Sequence, residues 1–69
     1  MFYNANESAA AAGDLAFHIL YHDLDKLDRN EAEDKIACDI LSYHLPVLTQ
    51  YEVNLAFDLV SDLRKDYAQ

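Results

Sequence analysis

The last third of the sequence narrows the possible folds most, because it contains both the start and the buried face of a helix. Thr49 and Glu52 have the spacing of a capping box, in which each side chain bonds a free backbone N–H of the first turn. This pattern predicts a helix over about residues 50–67. Its apolar residues then recur at helical spacing and form one stripe, made by Val53, Ala56, Phe57, Val60, Leu63 and Tyr67.

Two leucines widen this stripe, so that the apolar surface covers more of the helix than the ~100° arc needed against one core. Leu55 and Leu59 lie beside the stripe at helical spacing. A three-helix monomer would leave such an arc partly uncovered, and exposed apolar surface of this kind favours association. We therefore expect a homodimer whose interface contains Leu55, Leu59 and Leu63.

Two earlier segments also repeat apolar residues at helical spacing, which predicts helices over about residues 5–27 and 29–44. The first is predicted to begin at Asn4 or Asn6, and Asn4 with Glu7 has the spacing of a capping box. Candidate caps for the second are Asp28 with Glu31, or Asn30 with Glu33. Pro46 predicts that the second helix ends before it. The first inward face is predicted to contain Ala12, Ala16, Ile19, Leu20, Leu24 and Leu27, flanked by Leu15 on one side and by Phe17 and Tyr21 on the other. The second is predicted to contain Ala32, Ile36, Ala37, Ile40, Leu41, Tyr43 and His44.

Two charged residues fall where the helical pattern places apolar ones. Asp23 interrupts the inward face of the first helix, and Arg64 lies within the stripe of the third. Burying either charge without a partner would be costly. We therefore predict that Asp23 and Arg64 meet and that their pairing fixes the register between helices.

Length and composition limit the architecture to one small helical domain spanning residues 1–69. The chain has one Gly and one Pro, and strand-type alternation of apolar residues is missing. Sixty-nine residues are near the lower limit for folding on a chain's own core, and a single Cys allows no internal disulfide. The expected fold is all-α, a small three-helix antiparallel bundle that completes its core by homodimerisation.

The charge balance is strongly acidic, with 13 Asp and Glu against 5 Lys and Arg and a formal net charge of −8. Such a charge works against binding to nucleic acid or to an anionic membrane. The first residues lack the basic region and long apolar run of a signal peptide. No window approaches the ~18 apolar residues of a membrane-spanning helix. We expect a cytoplasmic protein that binds neither nucleic acid nor membrane directly.

Acidic residues recur on the outward faces of the second and third predicted helices. Asp58, Asp62 and Asp66 are spaced one helical turn apart. Negative charges repeated at helical pitch can imitate phosphates for a protein built to bind nucleic acid. The alternative is that these acids only keep the surface solvated. The predicted partner-binding face consists of Glu31, Asp34, Asp39, Asp58, Asp62 and Asp66.

His18 and His22 stand one turn apart on the first helix, a spacing that lets two imidazoles bind one divalent ion. Metal sites usually need three or four ligands, so a solvated polar face is the alternative. We expect no cofactor. The sequence shows neither a nucleophile–base pair nor a phosphate-binding loop, and acids near Cys38 disfavour its thiolate. Enzymatic activity is therefore not expected.

These observations favour a small acidic protein that binds another protein. The most concrete hypothesis is a regulator or inhibitor of a nucleic-acid-handling host machine, of the kind found among small acidic proteins of phages and mobile elements. This step is an analogy from size and charge. Two other classes stay open: a metal- or ligand-sensing helical protein that uses His18 and His22, and a structural subunit that only assembles.

Overall fold

The computed structural model describes residues 5–42 and 48–67, with side chains described for residues 7–42 and 48–66. Over these ranges the protein is built from three α-helices and one short 3₁₀ helix, which confirms the all-α class. The helices are α1 (Ala5–His22), α2 (Arg29–Ser42) and α3 (Gln50–Tyr67), and the 3₁₀ helix is Leu24–Lys26. Several predicted features lie outside the described residues: Asn4, Tyr43, His44, Pro46 and the side chain of Tyr67.

Helix α3 has the predicted bounds and the predicted start. The backbone N–H of Thr49 donates to Glu52 Oε2 at 3.0 Å, and the N–H of Glu52 reaches Thr49 Oγ1 at 3.5 Å. The capping box is therefore confirmed, and Glu52 makes its shorter bond. The predicted stripe is the buried face, since Val53, Ala56 and Val60 are buried.

The prediction that the first helix runs to residue 27 is wrong, because α1 ends at His22. Asp23 adopts a left-handed backbone (φ 56°, ψ 34°), and its N–H bonds the carbonyl of Leu20. This conformation breaks the helical phase, so positions beyond it no longer follow the inward face of α1. Leu24 is buried in the 3₁₀ helix, whereas Leu27, predicted to point inward, is 43% exposed.

Helix α2 presents only part of the predicted face to the core. Ala32 and Ile36 are buried and Ile40 is half-buried, but Ala37 and Leu41 are exposed. In their place the polar Asp39 is buried. The helix starts as predicted, because Asp28 Oδ2 accepts the N–H of Asn30 at 3.2 Å.

Helices α1 and α3 pack along each other and run in the same direction. Ser8 near the start of α1 donates its hydroxyl to Glu52 in the first turn of α3. At the other end, Asp25 just after α1 contacts Arg64 in the last turns of α3. The core between the helices consists of Ala12, Leu15, Ala16, Ile19, Leu24, Ala32, Ile36, Val53, Ala56 and Val60.

The leucines predicted to lie uncovered on α3 are partly covered within one chain. Leu55, Leu59 and Leu63 are all half-buried. Leu55 and Leu59 pack against the core. The arc is therefore only partly uncovered, because α3 has apolar neighbours on more than one side, and the homodimer through these leucines stays a prediction.

None of the helices within residues 5–42 and 48–67 is both long and apolar enough to cross a membrane.

Candidate functional site

Three exposed aspartates form a line of negative charge on α3. Asp58, Asp62 and Asp66 are all exposed and follow one another at four-residue intervals, which places them about 6 Å apart along the axis. We call these three residues the acidic ridge. On α2, Glu31 and Asp34 are also exposed. Five of the six acids predicted for the partner-binding face are thus available to a partner.

The sixth acid, Asp39, does not belong to that face. It is 7% exposed, and its Oδ2 lies 2.7 Å from Nε2 of His18. The sequence pattern placed it on the polar side of α2 because its neighbours there are charged. It is instead turned toward α1, where the imidazole supplies a polar partner within the protein.

His18 is likewise not on a solvated face, because its side chain is only 17% exposed beside Asp39. The rings of His18 and His22 are close, with centroids 4.6 Å apart. A metal ion held by both imidazoles would have to compete with Asp39 for Nε2 of His18. Among the side chains at 7–42 and 48–66, no three His, Cys, Asp or Glu are grouped to hold a metal ion. Metal binding therefore stays a prediction.

The predicted meeting of Asp23 and Arg64 is confirmed, and it includes a second acid that sequence reasoning missed. Arg64 donates from Nη2 to Asp23 at 2.8 Å, and from Nε and Nη2 to the two oxygens of Asp25 at 2.9 Å each. Lys26 lies 3.5 Å from Asp23. The side chains of Arg64 and Asp23 are 38% and 55% exposed, so this is a surface cluster. The fork on Asp25 is the stronger contact, because bidentate bonds combine charge with geometry.

The cluster also changes the acidity of its members. The hydrogen bond from Arg64, and then the charge of Lys26, lower the pKa of Asp23 below its ordinary value of 3.8. The hydrogen bond from Arg64 likewise lowers the pKa of Asp25. Hydrogen bonds to Asp25 and Asp23 raise the pKa of Arg64 above its usual value. Because the folded-state pKa values of the acids are depressed, their contribution to stability is present above about pH 4 and is lost as the pH falls below it.

We expect Asp25 to be coupled to Arg64 more strongly than Asp23 is. In double-mutant cycles with Arg64→Ala, measured by urea denaturation at neutral pH, Asp25→Asn should show a larger interaction energy than Asp23→Asn. Asparagine is used because alanine would be strained in the left-handed backbone of Asp23. Both interaction energies should shrink as the pH is lowered below about 4, as the carboxylates become protonated.

Asp62→Asn is the control for this cycle, since Asp62 is an exposed acid on the same helix. Its effect on the free energy of unfolding should simply add to the effect of Arg64→Ala. If Asp23→Asn and Asp25→Asn were also strictly additive with Arg64→Ala, the contacts would contribute nothing to stability in solution.

Most of the basic side chains are engaged by the protein itself. Besides Lys26 and Arg64, Arg29 donates to Asn54 at 2.6 Å and lies 3.7 Å from Glu33. The guanidinium carbon of Arg29 also lies 4.0 Å from the ring centre of Phe57, a cation–π contact. Lys65 is also exposed on α3, so α3 presents the three acids of the ridge together with one further basic side chain.

A concave surface beside α1 is the other feature available for binding. It has a volume of about 690 Å³ and is lined mainly by apolar side chains, among them Phe17, Leu20, Tyr21, Ile40 and Leu48, together with Asp14. We call it the α1 groove. Phe17 is 74% exposed and Tyr21 85% exposed, although the pattern predicted that they flank the inward face.

No protein-family model, no curated protein sequence and no solved structure matches this chain. Two surfaces of the described residues are candidates for binding: the acidic ridge, which the sequence predicted, and the α1 groove, which it did not.

Proposed function

We propose that this protein is a small acidic regulator or inhibitor that binds a nucleic-acid-handling protein through its negatively charged surface. The acidic ridge is the observation that carries the proposal. Three carboxylates are exposed in a row on one helix, and none of them contributes to the buried core. Glu31 and Asp34 of α2 add to the exposed negative charge.

A helix supports this role physically because it holds the charges at fixed spacing. The carboxylates of the ridge stay about 6 Å apart without being ordered at the moment of binding. A partner with Lys and Arg arranged for phosphates would meet negative charges in a preformed line. Complementary charge of this kind accelerates association and suppresses other partners, and it makes binding sensitive to salt.

The proposal also includes the predicted helix arrangement, oligomeric state and cellular location of the protein. The finer architecture is an antiparallel order of helices that are consecutive in the chain, with a homodimer formed through Leu55, Leu59 and Leu63. These leucines are half-buried, so a second copy has less apolar surface to cover than the sequence pattern predicted. The proposed setting is the cytoplasm, where the exposed Cys38 would stay reduced.

Competition with DNA tests the proposed function. The immobilised protein is presented with purified nucleic-acid-binding proteins of its own organism, with and without excess duplex DNA. We expect at least one of them to bind, to be displaced by DNA, and to bind much less tightly as salt rises from about 50 to 200 mM. Asp58→Asn with Asp62→Asn should weaken this binding.

A matched control distinguishes the effect of the ridge on binding from the effect of the overall net charge. Ala9→Lys with Ser42→Lys raises the net charge by the same two units at exposed positions outside the ridge. This control should retain more affinity than the ridge variant. Binding that resists both DNA and salt would instead fit a structural assembly subunit, and equal loss in both variants would show that the ridge has no special role.

A further inference from the structure

The α1 groove has the size and lining of a binding site. Its volume of about 690 Å³ lies within the range of roughly 300–1,000 Å³ that is common for ligand sites. Buried Leu15 and half-buried Leu20 form part of its lining on α1. Ile40 of α2 and Leu48 before α3 also line it, so parts of the chain far apart in sequence contribute to one concave surface.

Two exposed aromatic side chains stand on the α1 side of the groove. Phe17 and Tyr21 are one turn apart on α1, and most of each side chain is accessible. Aromatic side chains bury about 150–250 Å² each when a partner covers them, and they are enriched among the residues that dominate interface energies. The pair therefore offers a large apolar contact to anything that enters the groove.

The charge around the groove determines which kind of partner would be attracted to it. Helix α1 carries no Lys or Arg, and its acids Glu7 and Asp14 lie on the same stripe as Ala11 of the groove lining. His18 also lines the groove, but its Nε2 lies 2.7 Å from the carboxylate of Asp39. Asp14 is exposed and itself lines the groove. A cationic segment would be attracted by the Asp14 carboxylate and by the net charge of −8.

We propose that the α1 groove binds a cationic amphipathic helix of a partner protein. Apolar residues of that helix pack on Phe17 and Tyr21, and a Lys or Arg on its flank pairs with Asp14. Helices dock in apolar grooves in this way through anchors spaced one turn apart. The inference rests on the proposed function, because it describes a second contact with the same basic partner.

A synthetic peptide serves as the probe. It consists of Leu and Lys placed so that one helical face is apolar, is about 14 residues long, and thus spans about four turns. Its controls are a scrambled peptide of the same composition and a peptide with Glu in place of Lys. Fluorescence anisotropy with the labelled probe should show binding that the scrambled peptide lacks. The acidic peptide should not bind.

Variants locate the binding surface. Phe17→Ala with Tyr21→Ala should weaken probe binding by about 10- to 30-fold. Tyr51→Ala is the control, because Tyr51 is 67% exposed on α3 and contributes nothing to the described lining of the groove. Asp14→Asn should weaken binding about two- to fivefold, and Asp34→Asn, an exposed acid on α2, should have less effect. Circular dichroism melts confirm that the variants remain folded.

Three results with the peptides or with the protein alone would overturn the inference. The first is equal binding of the probe to the parent and to the Phe17→Ala, Tyr21→Ala variant. The second is equal binding of the acidic peptide. The third is a dimer in sedimentation equilibrium that the Phe17→Ala, Tyr21→Ala substitutions dissociate, because a second copy would then occupy the groove.

The groove and the proposed function can be tested independently of each other, because the α1 groove and the acidic ridge share no residue. A DNA-displaceable partner that is lost in the Asp58→Asn, Asp62→Asn variant but retained in the Phe17→Ala, Tyr21→Ala variant would overturn the groove and leave the proposed function standing. Probe binding that depends on Phe17, without any DNA-displaceable partner, would support the groove and remove the proposed function.

Discussion

Replacing Ile19 with alanine is expected to lower the free energy of unfolding by about 2–5 kcal/mol. The Ile19 side chain is fully buried in the core to which α1, α2 and α3 contribute. The substitution removes apolar contacts and leaves a cavity in a core whose other members include residues as small as Ala16 and Ala56. Because domains of this size have little stability in reserve, much of the variant should be unfolded at room temperature. Urea denaturation followed by far-UV circular dichroism measures the change.

Leu41→Ala is the control for this experiment. It also truncates a large aliphatic side chain in a helix, but Leu41 is 79% exposed. Its effect should stay within about 0.5 kcal/mol of the parent. Similar losses for Ile19→Ala and Leu41→Ala would mean that α1 does not bury the face described above.

Replacing Glu52 with alanine should cost about 2 kcal/mol, because hydrogen bonds to a charged group contribute more than neutral ones. Glu52 is 3% exposed and accepts hydrogen bonds from the Ser8 hydroxyl and the Thr49 N–H. Its loss removes the cap of α3 and one link between α1 and α3 together. Thr49→Ala should cost less, about 0.5–1 kcal/mol, since its own bond is 3.5 Å long. Thermal and urea melts of the two variants give the comparison.

Glu31→Ala provides the matched control, because Glu31 is also an acid in the first turn of a helix but is exposed. It should lose only the interaction with the helix dipole, about 0.3–1 kcal/mol. A Thr49→Ala variant less stable than Glu52→Ala would contradict the order of the two capping bonds seen here.

Features set by neighbouring residues were predictable from the sequence. The start of α3 depends on Thr49 and Glu52, which are three residues apart, and the start of α2 on Asp28. In both cases the side chain and the backbone group that it bonds belong to the same turn. The buried stripe of α3 was also predictable, since its apolar positions repeat over several turns without interruption.

Features set by contacts between helices could not be predicted from the sequence. Asp39 is buried because His18 of α1 lies opposite it, and no spacing within α2 shows that. The end of α1 at His22 depends on the left-handed backbone of Asp23, which the apolar pattern of the segment conceals. The α1 groove also escaped prediction, because Phe17 and Tyr21 lie at the edge of the apolar face and only packing decides which side is covered.

The shared direction of α1 and α3 has a consequence for how the chain folds as it is made. The contacts that join the two helices link residues 44 and 39 positions apart, Ser8 to Glu52 and Asp25 to Arg64. Helix α1 therefore leaves the ribosome before its main packing partner exists. At about 5–20 residues per second, the delay amounts to a few seconds. During that time Ile19 is exposed to solvent together with the aromatic pair Phe17 and Tyr21. This is the stage at which a chaperone would bind the chain.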